Sequence, residues 1–187
     1  MADRLILYHR AYNSGVMTVE EFRRLPESDT HIVELHHGKV VRMTRPKKRH
    51  DDCTMRIHDA LPVGARKRGV AAREFTFRPM PEHELRVADF AWVARERWQQ
   101  TDPDDNLRGA PEFVVEVVSP SNTADELQER KQLCLATGCV EYWTVYPKLL
   151  QVEAATATGA RVYKIGDIIE SITVPGLRLP VRDVFLD

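Results

Sequence analysis

The chain is short of the residues that usually announce a special architecture. Only three cysteines occur in 187 residues, Cys53, Cys134 and Cys139, and they show no paired metal spacing. A disulfide scaffold and a thiolate zinc site are not indicated, and all three are read as reduced thiols of a cytoplasmic protein. No apolar run approaches the roughly 18 residues of a membrane span, and no signal-peptide pattern is visible. An excess of one charge is missing too. Lys and Arg number 27 against 28 Asp and Glu, a formal net charge of −1. That excludes a global electrostatic pull toward nucleic acid and leaves only a local one. No internal repeat and no linker divides the sequence. One domain is expected over 17–187, behind an N-terminal arm at 1–16. What remains is ordinary globular material, 43% hydrophobic and 29% charged, enough for a real core at this length.

The most informative stretch runs from Pro111 to Trp143. Phe113, Val114, Val115, Val117 and Val118 read as a strand buried on both faces. Glu116 interrupts it, and a carboxylate in such a run is costly unless it is paired, bound to a cation, or turned out at the strand end. Pro120 ends the strand. A helix follows with Asn122 or Thr123 as N-cap, Asp125 and Glu126 in its first turn, and an apolar face of Leu127, Cys134 and Leu135. It stops at Gly138, and Val140 to Val145 returns as a strand. Strand, helix and strand with short loops predict a crossover between parallel strands.

Earlier in the chain, Thr18 and Glu21 have capping-box spacing ahead of Phe22 and Leu25, with Pro26 closing a short helix. Residues 31–35 and 39–43 flank His36-His37-Gly38 and predict a β-hairpin with Gly38 at positive φ. Arg42, Arg45, Lys47, Lys48, Arg49 and His50 form the densest basic cluster, read as an extended loop because of Pro46. A helix is predicted from about Asp51 to Arg68, kinked near Leu61 by Pro62 and ending in Arg66-Lys67-Arg68. Basic groups at both ends of one element suit a phosphate backbone, although a basic run is more often a solvated loop.

Residues 70–77 and 85–93 read as strands, the second with Asp89 at its centre, where propensity disfavours an acid. Residues 96–109 read as a polar loop. Beyond Val145, residues 149–154, 161–165 and 168–174 predict an antiparallel meander extending the sheet, and 179–185 a short terminal helix.

Asp89 and Glu116 thus lie in neighbouring apolar strands, Glu34 lies in an earlier one, and Arg130 and Lys131 lie on the helix after Glu116. Converging carboxylates suit a hard dication, which takes oxygen ligands and keeps several waters. Such an ion polarises a phosphoryl group and lowers the pKa of a bound water, while a nearby cation stabilises developing charge. The pattern predicts metal-assisted phosphodiester hydrolysis. The same acids could instead form salt bridges in a purely structural fold.

These residues resemble the PD-(D/E)XK nuclease superfamily and, within it, the Uma-type bacterial family described as putative restriction endonucleases. The likeness runs from the Met17–Phe22 segment to Val184-Phe185. It rests on Glu34 with Gly38-Lys39-Val40, the basic segment ending at His50, Val87-Ala88-Asp89, Pro111 through Ser121, and Gly138 with Glu141-Tyr142-Trp143. The resemblance implies an α/β fold, a restriction-endonuclease-like core with a mixed β-sheet flanked by helices. It implies Asp89 and Glu116 as ligands of Mg²⁺ or Mn²⁺, with Glu34 as a candidate third. The implied substrate is DNA, contacted by Arg45, Lys47, Lys48 and Arg49, with His50 at phosphate or in proton transfer. A homodimer is the default expectation.

The chain also departs from that pattern. Val118 stands where the superfamily usually has its lysine, and the matching helix position is Arg130, with Lys131 adjacent. Arginine keeps the charge but not the compact geometry of lysine. Ala88 replaces a proline and Cys134 a tyrosine. The alternative is therefore a nucleic-acid-binding or assembly protein that has lost catalysis on the same fold.

Overall fold

A computed structural model describes residues 15–26 and 28–186. The first fourteen residues of the expected arm at 1–16 lie outside them. The chain begins with helix α1 (Val19–Phe22), started by the expected box: Thr18 accepts from the Glu21 amide and Glu21 accepts from the Thr18 amide. Strands β1 (His31–His36) and β2 (Lys39–Thr44) pair antiparallel as a hairpin. Its turn holds both His37 (φ 49) and Gly38 (φ 72) in the left-handed region. At Gly38 a Cβ would fall 2.4 Å from Val16 Cγ1 and 2.9 Å from the Met17 nitrogen, so only glycine fits.

Helix α2 (Lys48–Asp59) starts three residues earlier than predicted, and Pro62 separates it outright from α3 (Val63–Arg68). Lys48, Arg49 and His50 are thus a first helical turn, not an extended loop. The basic ends belong to two elements, and Arg66 is turned onto the carbonyls of Leu61 and His58. Strands β3 (Gly69–Arg78) and β4 (Arg86–Ala94) pair antiparallel. Gly69 is needed for packing, since a Cβ there would lie 2.2 Å from the Trp92 ring. The predicted loop at 96–109 contains a short helix α4 (Arg95–Gln99) and a two-residue strand β5 (Leu107–Arg108).

Strand β6 (Phe113–Val117), helix α5 (Ala124–Ala136) and strand β7 (Glu141–Tyr146) form the expected unit, with β6 and β7 parallel and Thr123 as the N-cap. Strands β8 (Gln151–Thr156) and β9 (Gly159–Lys164) continue antiparallel. The result is a mixed seven-stranded sheet of order β5-β3-β4-β6-β7-β8-β9. The meander ends there. Strand β10 (Ile168–Glu170) pairs with β11 (Arg178–Pro180) in a separate hairpin, followed by α6 (Val181–Phe185). Buried Glu141 holds this hairpin's loop, accepting from the Ser171 hydroxyl at 2.6 Å and the Ile172 amide at 3.0 Å.

Alternation along β6 sends side chains to opposite faces of the sheet. Phe113, Val115 and Val117 pack with Ile57 of α2, Trp143 and Val181 of α6, whereas Val114 packs with Phe77, Cys134 of α5 and Tyr142. A third cluster of Val19, Leu35, Val40 and Leu85 seats the hairpin and α1 on the sheet. The Leu35 and Leu85 amides exchange backbone hydrogen bonds at 2.9 and 3.0 Å. These contacts carry Glu34 to the α5 face of β4. Among the described residues, no helix is long and apolar enough to cross a membrane.

Candidate active site

The site lies where β4 and β6 part. Their ladder pairs Trp92 with Phe113, Ala91 with Val114 and Phe90 with Val115, and then stops. Continued by one step, the same register sets Asp89 opposite Glu116. The Val118 amide points to β7, bonding Val145 at 2.9 Å, so the Val117 amide points to β4. There Asp89 Oδ2 receives it at 2.7 Å. The other flank of β4 is irregular at the same residue. Arg73 pairs with Phe90 and Phe75 with Ala88, while Glu74 between them takes φ 50. Asp89 therefore sits at a break in pairing on both sides, which frees its carboxylate from the strand pattern.

Helix α5 supplies the cation. Arg130, within the second turn after the Thr123 cap, is buried among acids. Nη2 donates to Glu34 Oε2 at 2.6 Å, and Nη1 donates to Glu116 Oε1 at 3.1 Å and the Val87 carbonyl at 3.0 Å. Glu34 is fully buried. Its Oε1 takes the Val87 amide at 2.8 Å, and its Oε2 is also bonded by His36 Nε2. From α2, His50 Nε2 lies 3.0 Å from Asp89 Oδ2, while its Nδ1 is buried without a partner among the described residues. Glu34, His50, Asp89, Glu116 and Arg130, which are far apart in the chain, thus form one cluster.

Its electrostatics are unbalanced. Burial would raise the Glu34 carboxyl, but Arg130, the His36 hydrogen bond and the Val87 amide outweigh it and hold it at about 2. Glu116 goes the other way. Burial and the charges of Asp89 and Glu34 push it well above the carboxylate range despite Arg130. Burial opposes protonation of His50, yet Asp89 wins and raises it above the ordinary histidine value. One guanidinium does not neutralise three carboxylates, so the cluster retains a proton or requires another cation.

Lys131 does not join the cluster. One residue further along α5 it points about 100° away, and Nζ pairs with Glu153 Oε1 on β8 at 2.7 Å. Arg45, Lys47, Lys48 and Arg49 are all exposed, beside His50 at the start of α2. Arg86, Glu84 and His36 did not stand out in the sequence, yet they form a buried polar network against the cluster. Among the described residues, no group of three or more His, Cys, Asp or Glu is arranged as a metal cage.

The Uma2 family model, described as a putative restriction endonuclease, matches residues 19–182. No curated protein matches the chain. Among solved structures, the fold is similar to that of a putative nuclease belonging to DUF820 from Anabaena variabilis. The TM-score is 0.74 at 19% identity, over 90% of this chain and 97% of that one.

Proposed function

Since the chain belongs to the Uma2 family, we propose that it is a metal-dependent endonuclease that hydrolyses DNA phosphodiester bonds. The observation that carries this reading is the facing pair Asp89 and Glu116, brought together with Arg130 in a site short of positive charge. The donors fit a hard dication. Mg²⁺ and Mn²⁺ accept one or two carboxylates and fill the remaining positions with water and substrate oxygens, so a full protein cage is not needed. Asp89 and Glu116 are the proposed ligands. Glu34, the candidate third, has both oxygens engaged by Val87, His36 and Arg130, and its proposed role is to hold Arg130.

A dication bound there supplies a polarised phosphoryl group and a more acidic water. Arg130, fixed by two carboxylates and a carbonyl, presents a delocalised charge to the phosphate oxygens as negative charge develops. His50 Nε2 lies 3.0 Å from Asp89 Oδ2, and its proposed role is to contact phosphate or take part in proton transfer beside that carboxylate. Arg45, Lys47, Lys48 and Arg49 would follow the DNA backbone, a local basic strip on a chain of net charge −1.

One observation favours the second reading, a binding or assembly protein without catalysis. The Arg130 guanidinium bridges Glu34 and Glu116, as a cation would. Nicking of supercoiled plasmid in Mg²⁺ and in Mn²⁺, wild type beside Asp89→Asn, separates the two. Cleavage by the wild type alone supports the endonuclease; DNA binding without cleavage by either supports the second reading.

A further inference from the structure

Strand β3 carries two arginines in opposite circumstances. Arg78 is buried and fully engaged, with Nη1 on the two Asp105 oxygens at 2.8 and 3.0 Å and Nε on the Pro81 carbonyl at 2.7 Å. Arg73 is exposed, and among the described residues its side chain has no ion pair and no hydrogen bond. It also stands beside the site. Arg73 pairs with Phe90, and the register leaves Glu74, at φ 50, opposite Asp89. Residues directly opposite in a ladder share a face. Phe90 packs with Ile57 of α2, so Arg73 leaves the sheet on the α2 side, the side from which His50 reaches Asp89. At this level β3 is the edge of the sheet, because β5 pairs only with Phe77 and Arg78.

We propose that Arg73 binds a backbone phosphate of the DNA substrate, next to the phosphate held between Asp89 and Glu116. An anionic strand lying over this site meets carboxylates first. On the β6 side Arg130 offsets them, 3.1 Å from Glu116. On the β3 side Glu74 adds an exposed acid opposite Asp89, and Arg73, one step away, is the cation that can offset it. Arg73 stands on the second strand from Glu116, about 10 Å away at two strand spacings, which suits the adjoining phosphate better than the reacting one. Its planar fork can take two oxygens of one phosphate. Having no acid to leave, Arg73 binds at the cost of ordering its own side chain. The left-handed backbone at Glu74 is the kind of strain that collects at ligand sites. With Arg45, Lys47, Lys48 and Arg49, the bound strand would run from the start of α2 across Asp89 to β3.

The identity of the neighbouring phosphate rests on the nuclease reading; the contact itself is read by binding alone. Fluorescence anisotropy of a labelled DNA duplex with the full chain, in metal-free buffer from low salt upward, measures it without cleavage. Each phosphate contact adds about 0.9 to the slope of log K against log salt. Arg73→Ala is expected to lower the wild-type slope by about that amount and to weaken binding. Arg73→Lys should restore the slope, because lysine binds phosphate as a point charge. Arg161→Ala removes another exposed arginine, three strands beyond β6 on β9, and should change nothing. In plasmid nicking Arg73→Ala should raise KM and keep kcat, with the Mn²⁺ thermal shift intact. A wild-type slope in Arg73→Ala, an equal fall in Arg161→Ala, or a wild type that binds no duplex overturns the proposal. A wild type that binds DNA through Arg73 and cleaves none removes the nuclease reading alone.

Discussion

Asp89 Oδ2 lies 2.7 Å from the Val117 amide and 3.0 Å from His50 Nε2. One carboxylate thereby ends the β4–β6 ladder and ties α2 to the sheet. Asn at this position keeps an oxygen for Val117 and loses the charge. Asp89→Asn should therefore fold, with a stability change of about 1 kcal/mol, the net worth of one such hydrogen bond. Its response to metal should differ. Mn²⁺ at a hundred times its dissociation constant stabilises a native-only site by about 2.7 kcal/mol, and thermal melts should show that gain in the wild type alone. Equal gains in both proteins would place the cation elsewhere.

The metal-free protein should lose stability as pH rises through neutrality. Glu116 holds its proton to higher pH in the native state than in the unfolded chain. Its contribution is present at acid pH and disappears as pH rises toward its folded value. His50, also raised, adds stability below its ordinary 6.5 that is lost above it. Each extra native-state proton gives a slope of about 1.4 kcal/mol per pH unit. Glu34 acts at the acid end, where stability present above 4.5 is lost as pH falls toward about 2. Denaturant melts from pH 5 to 9 should show the neutral-to-alkaline decline, reduced in Glu116→Gln and flattened by Mn²⁺. A flat metal-free profile would contradict the charge imbalance.

Much of this site was legible in the sequence because it breaks local rules. Asp89 and Glu116 stand out as acids inside apolar strands, and the family resemblance points to Arg130 with Lys131 beside it, a pair that only the three-dimensional contacts separate. The start of α2 was hidden for the opposite reason. Lys48, Arg49 and His50 are poor first-turn residues, since cations oppose the helix dipole at that end. What makes the turn helical is the burial of Cys53, Thr54 and Ile57 further along. The Arg86 network was also out of reach. His36 and Glu129 meet Arg86 from positions 50 and 43 residues away, and local alternation carries no signal of that meeting. Likewise, nothing local distinguishes β10 as the partner of β11 from a further strand of the large sheet.

Arg130 and Lys131 are adjacent in sequence but should behave very differently. Arg130→Met leaves Glu34 and Glu116 buried together without their cation, and removing one partner of a buried pair costs about 3–5 kcal/mol. Arg130→Lys keeps the charge but cannot span both carboxylates and the Val87 carbonyl, so an intermediate loss is expected with nicking reduced. Lys131→Ala breaks a single pair with Glu153, worth at most about 1 kcal/mol, and should leave the nicking rate unchanged. Urea denaturation and plasmid nicking on the three variants test this ordering. A larger activity loss from Lys131→Ala would transfer the active-site role to lysine.

Glu74 offers the last prediction, because its φ of 50 coincides with the break beside Asp89. Left-handed backbone costs an L-residue roughly 1–2 kcal/mol, and Asn tolerates that region far better than Glu. Glu74→Asn preserves the backbone conformation, so it should add up to about 1 kcal/mol of stability and leave the Mn²⁺ thermal shift intact. Glu74→Val should do the reverse. A β-branched side chain resists positive φ, which draws the strand toward regular pairing at the residue facing Asp89. Such strain costs on the order of 1–3 kcal/mol and should weaken the Mn²⁺ shift even though Glu74 is exposed and contributes no ligand. If Glu74→Val melts lower but keeps the full Mn²⁺ shift, the irregular pair is a feature of the strand alone, and the position of Asp89 is set from the β6 side by Val117.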